Sequence, residues 1–181
     1  MKDIISYLGT NHDIVSAVTA VAALVVSTIS IILAICNMAV QRTHNRKSVL
    51  PIAHVGVGDY EERIFVSLRN NGVGPMLVDE VVVTRCGANN DVKSSVIDFM
   101  PDLPGEMCWK NFVANLSGSA LPADKELELV VLEGDPIDPE FIEAKEQVRK
   151  ALSQLRIEVK YRNVYGERMP PAVRNLEWFA R

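Results

Sequence analysis

Histidine and cysteine are scarce in this 181-residue chain, and the scarcity removes most reaction chemistry from view. His54 is the only histidine beyond residue 50, and Cys86 and Cys108 stand apart with no C-x-x-C pair. A zinc site needs several such ligands at close spacing, and a nucleophile needs a base beside it. His54 therefore reads as an ordinary strand residue, and no catalytic set, metal set or cofactor motif is expected. Two isolated cysteines are no disulfide framework either. Basic excess is also missing: residues 50–181 hold 15 Lys and Arg against 21 Asp and Glu, a net of −6. Nucleic acid selects a basic surface, so it is excluded as a partner. Internal repeats and low-complexity runs are absent.

What the chain does have is an uncharged stretch of 27 residues, Ile14 to Val40. As a helix it would be about 40 Å long, enough to cross a hydrocarbon core of about 30 Å with some tilt. A cleaved signal peptide would need a basic start and an apolar run of only about 7–15 residues. Here the tail 1–13 carries Lys2 against Asp3 and Asp13. Leu33-Ala34-Ile35-Cys36 approaches a lipoprotein cleavage box, but Ile35 is too large beside the cysteine. The sequence thus predicts an uncleaved single span, 14–40, a basic linker, 41–49, and one domain, 50–181. Arg42, Arg46 and Lys47 follow the span, and positive flanks stay in the cytoplasm. The expected placement is the inner membrane, N-terminus out and domain in, where the Asn115-Leu116-Ser117 sequon would be silent.

Within the span, Ser16, Ala20, Ala23, Ser27, Ser30, Ala34 and Asn37 follow a heptad rhythm on one helix face. Leu24, Ile31, Ile35 and Met38 lie opposite and suit lipid. Small residues let helices approach closely in a bilayer, so this face is a candidate for homo-oligomer contacts. Chance clustering of Ala and Ser is the competing explanation.

The domain reads as mainly β: an antiparallel sandwich or small barrel, with one amphipathic helix before the last strands. Strands are expected at Ile52–Val57, Arg63–Arg69, Met76–Arg85, Glu126–Leu132 and Arg156–Tyr161, with a weaker one within Met107–Leu116. Arg63–Arg69 alternates strictly, and Val81-Val82-Val83 is β-branched. Asp138 and Pro139 look like a helix cap and first position, followed by a stripe of Phe141, Ala144, Val148, Ala151, Leu152 and Leu155. Glu146 and Lys150 are spaced to pair.

Three local motifs invite a functional reading and have plainer ones. Asn70-Asn71-Gly72-Val73-Gly74-Pro75 has two glycines, but it links strands and lacks the helix and Lys of a phosphate loop. It is expected to be a hairpin with glycine at positive φ and Pro75 opening the next strand. The acids Glu133, Asp135, Asp138 and Glu140 lack the ligand alternation of a calcium loop and suit a helix start. Basic and aromatic residues alternate through Arg156–Arg181. That stretch could face anionic headgroups or a nucleotide, or simply form a solvated edge.

The order of these features resembles bacterial membrane proteins of poorly defined function. In those an N-terminal anchor precedes a β-sandwich with an N-x-G-x-G-P-A hairpin and a late Y-x-D-x-x-G turn. Asn70, Gly72, Gly74 and Pro75 match the first pattern, with Met76 for the alanine. Tyr161 and Gly166 match the second, with Asn163 for the aspartate. Both motifs are turn chemistry, so the resemblance implies a fold and no activity. The leading expectation is a membrane-anchored, non-enzymatic module whose domain binds a protein partner. The alternative is an antiviral-defence-type effector that senses a cyclic nucleotide and oligomerises to perturb the membrane. That layout is similar to anchored β-barrel sensors, which carry two spans where this chain has one.

Overall fold

The structure is a computed structural model and describes residues 12–87 and 91–180. Lys2, Asp3 and most of the tail 1–13 lie outside the described residues, as does Arg181. The chain divides into two compact units between Lys47 and Ser48.

The first unit holds α1 (His12–Lys47), one helix with no buried residue. It is long and apolar enough to cross a membrane. No Gly or Pro interrupts it, and the hydroxyls of Thr19, Thr28 and Ser30 donate to carbonyls four residues back, each at 2.8 Å. Those bonds satisfy polar groups that lipid would leave unpaired. Residues 41–47, expected as linker, continue the helix. Nothing in Gln41–Lys47 breaks it, and the first proline is Pro51. Basic side chains in the final turn also complement the negative pole of the helix.

The head begins at Ser48 and forms two antiparallel sheets. Its strands are β1 (Ala53–Tyr60), β2 (Arg63–Asn70), β3 (Met76–Arg85), β4 (Val92–Lys93), β5 (Asn111–Phe112), β6 (Ala120–Leu121), β7 (Glu126–Glu133), β8 (Leu155–Arg162) and β9 (Ala172–Asn175). One sheet runs β1-β2-β7-β5; the other runs β4-β3-β8-β9, with β6 beside β3. The alternation of β2 buries Ile64, Val66 and Leu68, and β8 does the same with Ile157 and Val159. These residues join one hydrophobic core with Met76, Val78 and Val83 of β3.

One expectation changes here. Residues 70–75 are not a hairpin, because β2 and β3 belong to different sheets. The loop carries the chain from one sheet to the other, and neither Gly72 nor Gly74 has positive φ. Their missing side chains matter for space: a Cβ on Gly72 would lie 2.3 Å from the Leu50 carbonyl oxygen, and one on Gly74 1.8 Å from that of Val49. The weaker strand expected within Met107–Leu116 is present as the short edge strand Asn111–Phe112, with the Lys110 and Val113 N–H groups also bonded to β7.

The helix α2 (Pro139–Ser153) keeps its expected start: the Asp138 carboxylate accepts from the Glu140 N–H at 3.0 Å. Phe141, Ala144, Val148 and Leu152 are buried, whereas Leu155 is buried as the first residue of β8. Glu146 pairs with Arg149 rather than with Lys150. Since α2 follows the end of β7 and precedes the start of β8, it lies across one end of the sheets. Asp59 fastens it there, with Lys145 and Arg149 each 3.0 Å away. Lys145 also donates to the carbonyls of Tyr60 and Glu61.

Burial opposes ionisation of Asp59, but hydrogen bonds from Arg149 and Lys145, with their charges, outweigh it and hold its carboxyl below the usual range. A depressed folded pKa stabilises the protein above the unfolded value of about 3.9 and ceases to do so as pH falls through the folded one. Asp59→Asn should therefore cost about 2 kcal/mol at pH 7 and progressively less below about pH 4. Chemical denaturation of the full chain in detergent at both pH values measures it; a pH-independent cost would refute the assignment.

Candidate functional site

The long strands β1, β2, β3, β7 and β8 run between two ends of the head, and the chemistry divides between them. The proximal end, where the chain enters the head, gathers the start of β1, the 70–75 loop, the turn before β7 and the β8–β9 turn. Asn70 is its hub. Fully buried, it accepts from the N–H groups of Ile52 (3.2 Å) and Gly72 (3.0 Å) through Oδ1. Its Nδ2 donates to the carbonyls of Gly74 (2.8 Å), Leu121 and Pro122 (both 3.2 Å). The two sheets also meet where the Ala53 N–H donates to the Tyr161 hydroxyl at 3.3 Å. On the neighbouring edge, the Arg174 guanidinium donates to the Val55 carbonyl at 2.6 Å.

The β8–β9 turn is built on Asn163, also fully buried. Its Oδ1 accepts from the Tyr165 and Glu167 N–H groups, and its Nδ2 donates to the Glu167 carboxylate at 2.7 Å. Gly166 takes φ of 79°, where a side chain is strained. An aspartate at 163 would keep both accepted bonds but set two carboxylates against each other. Asn163→Asp should cost about 2 kcal/mol, and adding Glu167→Gln should recover about half. Thermal unfolding of the four members of this cycle tests the coupling; additivity would remove it.

Val73, Val164 and Tyr165 project from the proximal loops, with Val73 71% exposed. Beside them, β3 and β8 with the turn border a groove of about 710 Å³ lined by Lys160, Arg162 and Arg168 against Asp79, Glu80 and Glu158. Two of its three cations are matched: Lys160 lies 2.9 Å from Glu80 and Arg162 3.2 Å from Asp79. The hydrogen bond to Glu80, then its charge, raises the Lys160 pKa. Arg168 has no carboxylate partner among the described residues.

The distal end carries α2, the β1–β2 turn and the loop after β7. Outside the buried stripe, Ile137 is 83% and Ile142 54% exposed. A shallow hollow of about 540 Å³ runs over Pro139, Ile142, Glu143, Glu146, Gln147 and Lys150. The four acids singled out in the sequence are mostly structural here. Asp138 caps α2, the Asp135 carboxylate accepts from the Ile137 N–H at 3.0 Å, and Glu133 faces Lys110 at 3.8 Å. Among the described residues no group of three or more His, Cys, Asp or Glu could hold a metal ion.

The remaining sequence candidates fall as follows. Ser16, Ala20, Ala23, Ser27, Ser30, Ala34 and Asn37 are exposed along α1, and the Ser30 hydroxyl is already bonded to the Val26 carbonyl. Arg42, Arg46 and Lys47 sit in its last turns. His54 is an exposed residue of β1. Sequence reasoning missed Asn163 as a hub and the Asp59–Lys145–Arg149 cluster. The Asn-x-x-Gly spacing signalled the former; the latter joins residues about 90 apart in sequence and had no local signal. Compared with known proteins, the chain matches no family model, no curated protein and no solved structure.

Proposed function

We propose that this chain is a membrane-anchored, non-enzymatic interaction module. In this reading α1 crosses the inner membrane once, N-terminus out, and the two sheets close as a sandwich in the cytoplasm. The outer face of α2 then presents a docking surface to a protein partner. One observation carries the reading: Ile137 and Ile142 stay exposed on a segment whose inward face already supplies four core residues. Exposed apolar residues set among carboxylates (here Glu140, Glu143 and Glu146) mark a surface for an apolar segment with basic flanks. The groove at the proximal end supports a nucleotide less well, since two of its cations already face carboxylates.

The test is a photo-crosslinker at Ile142 in the full chain, expressed in its native membrane. One defined basic partner should be captured, and Ile137→Glu with Ile142→Glu should lower capture at least about tenfold with the fold intact. Undiminished capture by the double variant would overturn the assignment. The small-residue face of α1 is the proposed homo-oligomer contact. Ala23→Leu with Ser27→Leu should weaken association in a membrane two-hybrid reporter.

A further inference from the structure

We infer that the proximal tip of the head, formed by Val73, Val164 and Tyr165, rests in the lipid interface. The inference builds on the reading of α1 as a membrane span. It starts from how little chain separates lipid from head. The uncharged run ends at Val40, and α1 continues for seven residues, Gln41–Lys47. Those residues rise about 10 Å, against a headgroup layer of about 5–8 Å on each side of a bilayer. Ser48 therefore emerges at the outer margin of the headgroups.

The tip is tied to that point. Val73 lies between two glycines at which an added Cβ would collide with the carbonyls of Leu50 and Val49. The turn bearing Val164 and Tyr165 follows β8, whose Tyr161 hydroxyl holds the start of β1. Within the head, these loops lie at the end where residues 49–53 enter it. The distal end stands a strand length away, about 26 Å for the eight residues of β1.

Chemistry separates the two ends in the same direction. The tip exposes apolar side chains and a tyrosine, a residue that favours the membrane–water boundary. Two of its nearby cations are matched, Arg69 with Asp124 at 2.7 Å and Arg162 with Asp79, which lessens the charge to be desolvated. Arg168 is left to meet headgroup phosphates. The surplus carboxylates around α2 lie at the other end of the head.

Hydrogen exchange of the full chain in nanodiscs of mixed zwitterionic and anionic lipid tests this. Amides of residues 71–74 and 163–168 should exchange at least about fivefold more slowly than in the variant Val73→Asp/Val164→Asp, with residues 60–63 unchanged. In amphipol, which surrounds α1 without a headgroup plane, the wild-type loops should exchange as fast as those of the variant. Equal rates in all three samples, with α1 protected throughout, would overturn the inference and leave the span intact. An unprotected α1 would overturn the span reading and the inference with it.

Discussion

Asn70→Ala should lower the unfolding midpoint of the head by about 12 °C, a loss of about 4 kcal/mol for a unit of this size. The side chain fills five polar contacts and is itself fully buried. Alanine would leave two N–H groups and three carbonyls to find other partners. Each unsatisfied buried group costs about 1–3 kcal/mol, although those nearest the surface can recruit water, which keeps the total below the sum. Asn70→Asp separates geometry from hydrogen bonding. It keeps the shape and both accepted bonds but points a carboxylate oxygen at three carbonyls, so it should be at least as damaging at pH 7. Near-UV circular dichroism of the full chain in detergent, followed through heating, reads both variants. A loss under about 1 kcal/mol for alanine would show that Asn70 fills space and no more.

That hub explains which parts of the fold could be read in advance. Strands β2, β3, β7 and β8 announced themselves because their side chains alternate in and out of one core or run β-branched through it. The helix α2 did so because Asp138, Pro139 and a buried stripe all point to the same structure. These signals are local, and local physics suffices to produce them. Where the chain goes between elements is another matter. Asn70 to Pro75 has the composition of a hairpin, yet β2 finds its partners in β1 and β7, and β3 finds β8. Pairing is decided by which buried faces meet, and the turn residues follow that choice. The short β4, β5 and β6, with two residues each, carry too few positions for any periodicity to show. The candidate surfaces were the least legible. Ile137, Ile142, Val73 and Val164 look like ordinary apolar residues until the core is assembled without them. Arg42, Arg46 and Lys47 were legible as charges and not as helix, since charge patterning does not report backbone conformation.

Gly74→Ala is the sharper test of the crossing between sheets, with an expected cost of about 3 kcal/mol or more. If the loop were a hairpin with glycine at positive φ, alanine would cost only the left-handed penalty of about 1 kcal/mol. In the structure the added Cβ meets the Val49 carbonyl oxygen at 1.8 Å and its carbon at 2.6 Å. Both are backbone atoms, so no side-chain rotation can relieve the clash. Either the 70–75 loop or the segment that brings the chain into the head must move. Moving the loop strains the bond from Asn70 Nδ2 to the Gly74 carbonyl. Moving the segment strains the bond from the Ile52 N–H to Asn70 Oδ1. The expected result is therefore a loss shared with Asn70: Gly74→Ala and Asn70→Ala together should cost clearly less than their sum. Gly87→Ala is the control, because a Cβ there meets nothing within 4 Å, and it should shift stability by no more than about 0.5 kcal/mol. Additive costs at positions 70 and 74 would mean that the head's first residues and the crossing loop are held independently. Coupled costs would mean that one buried amide joins the segment following α1 to both sheets at once.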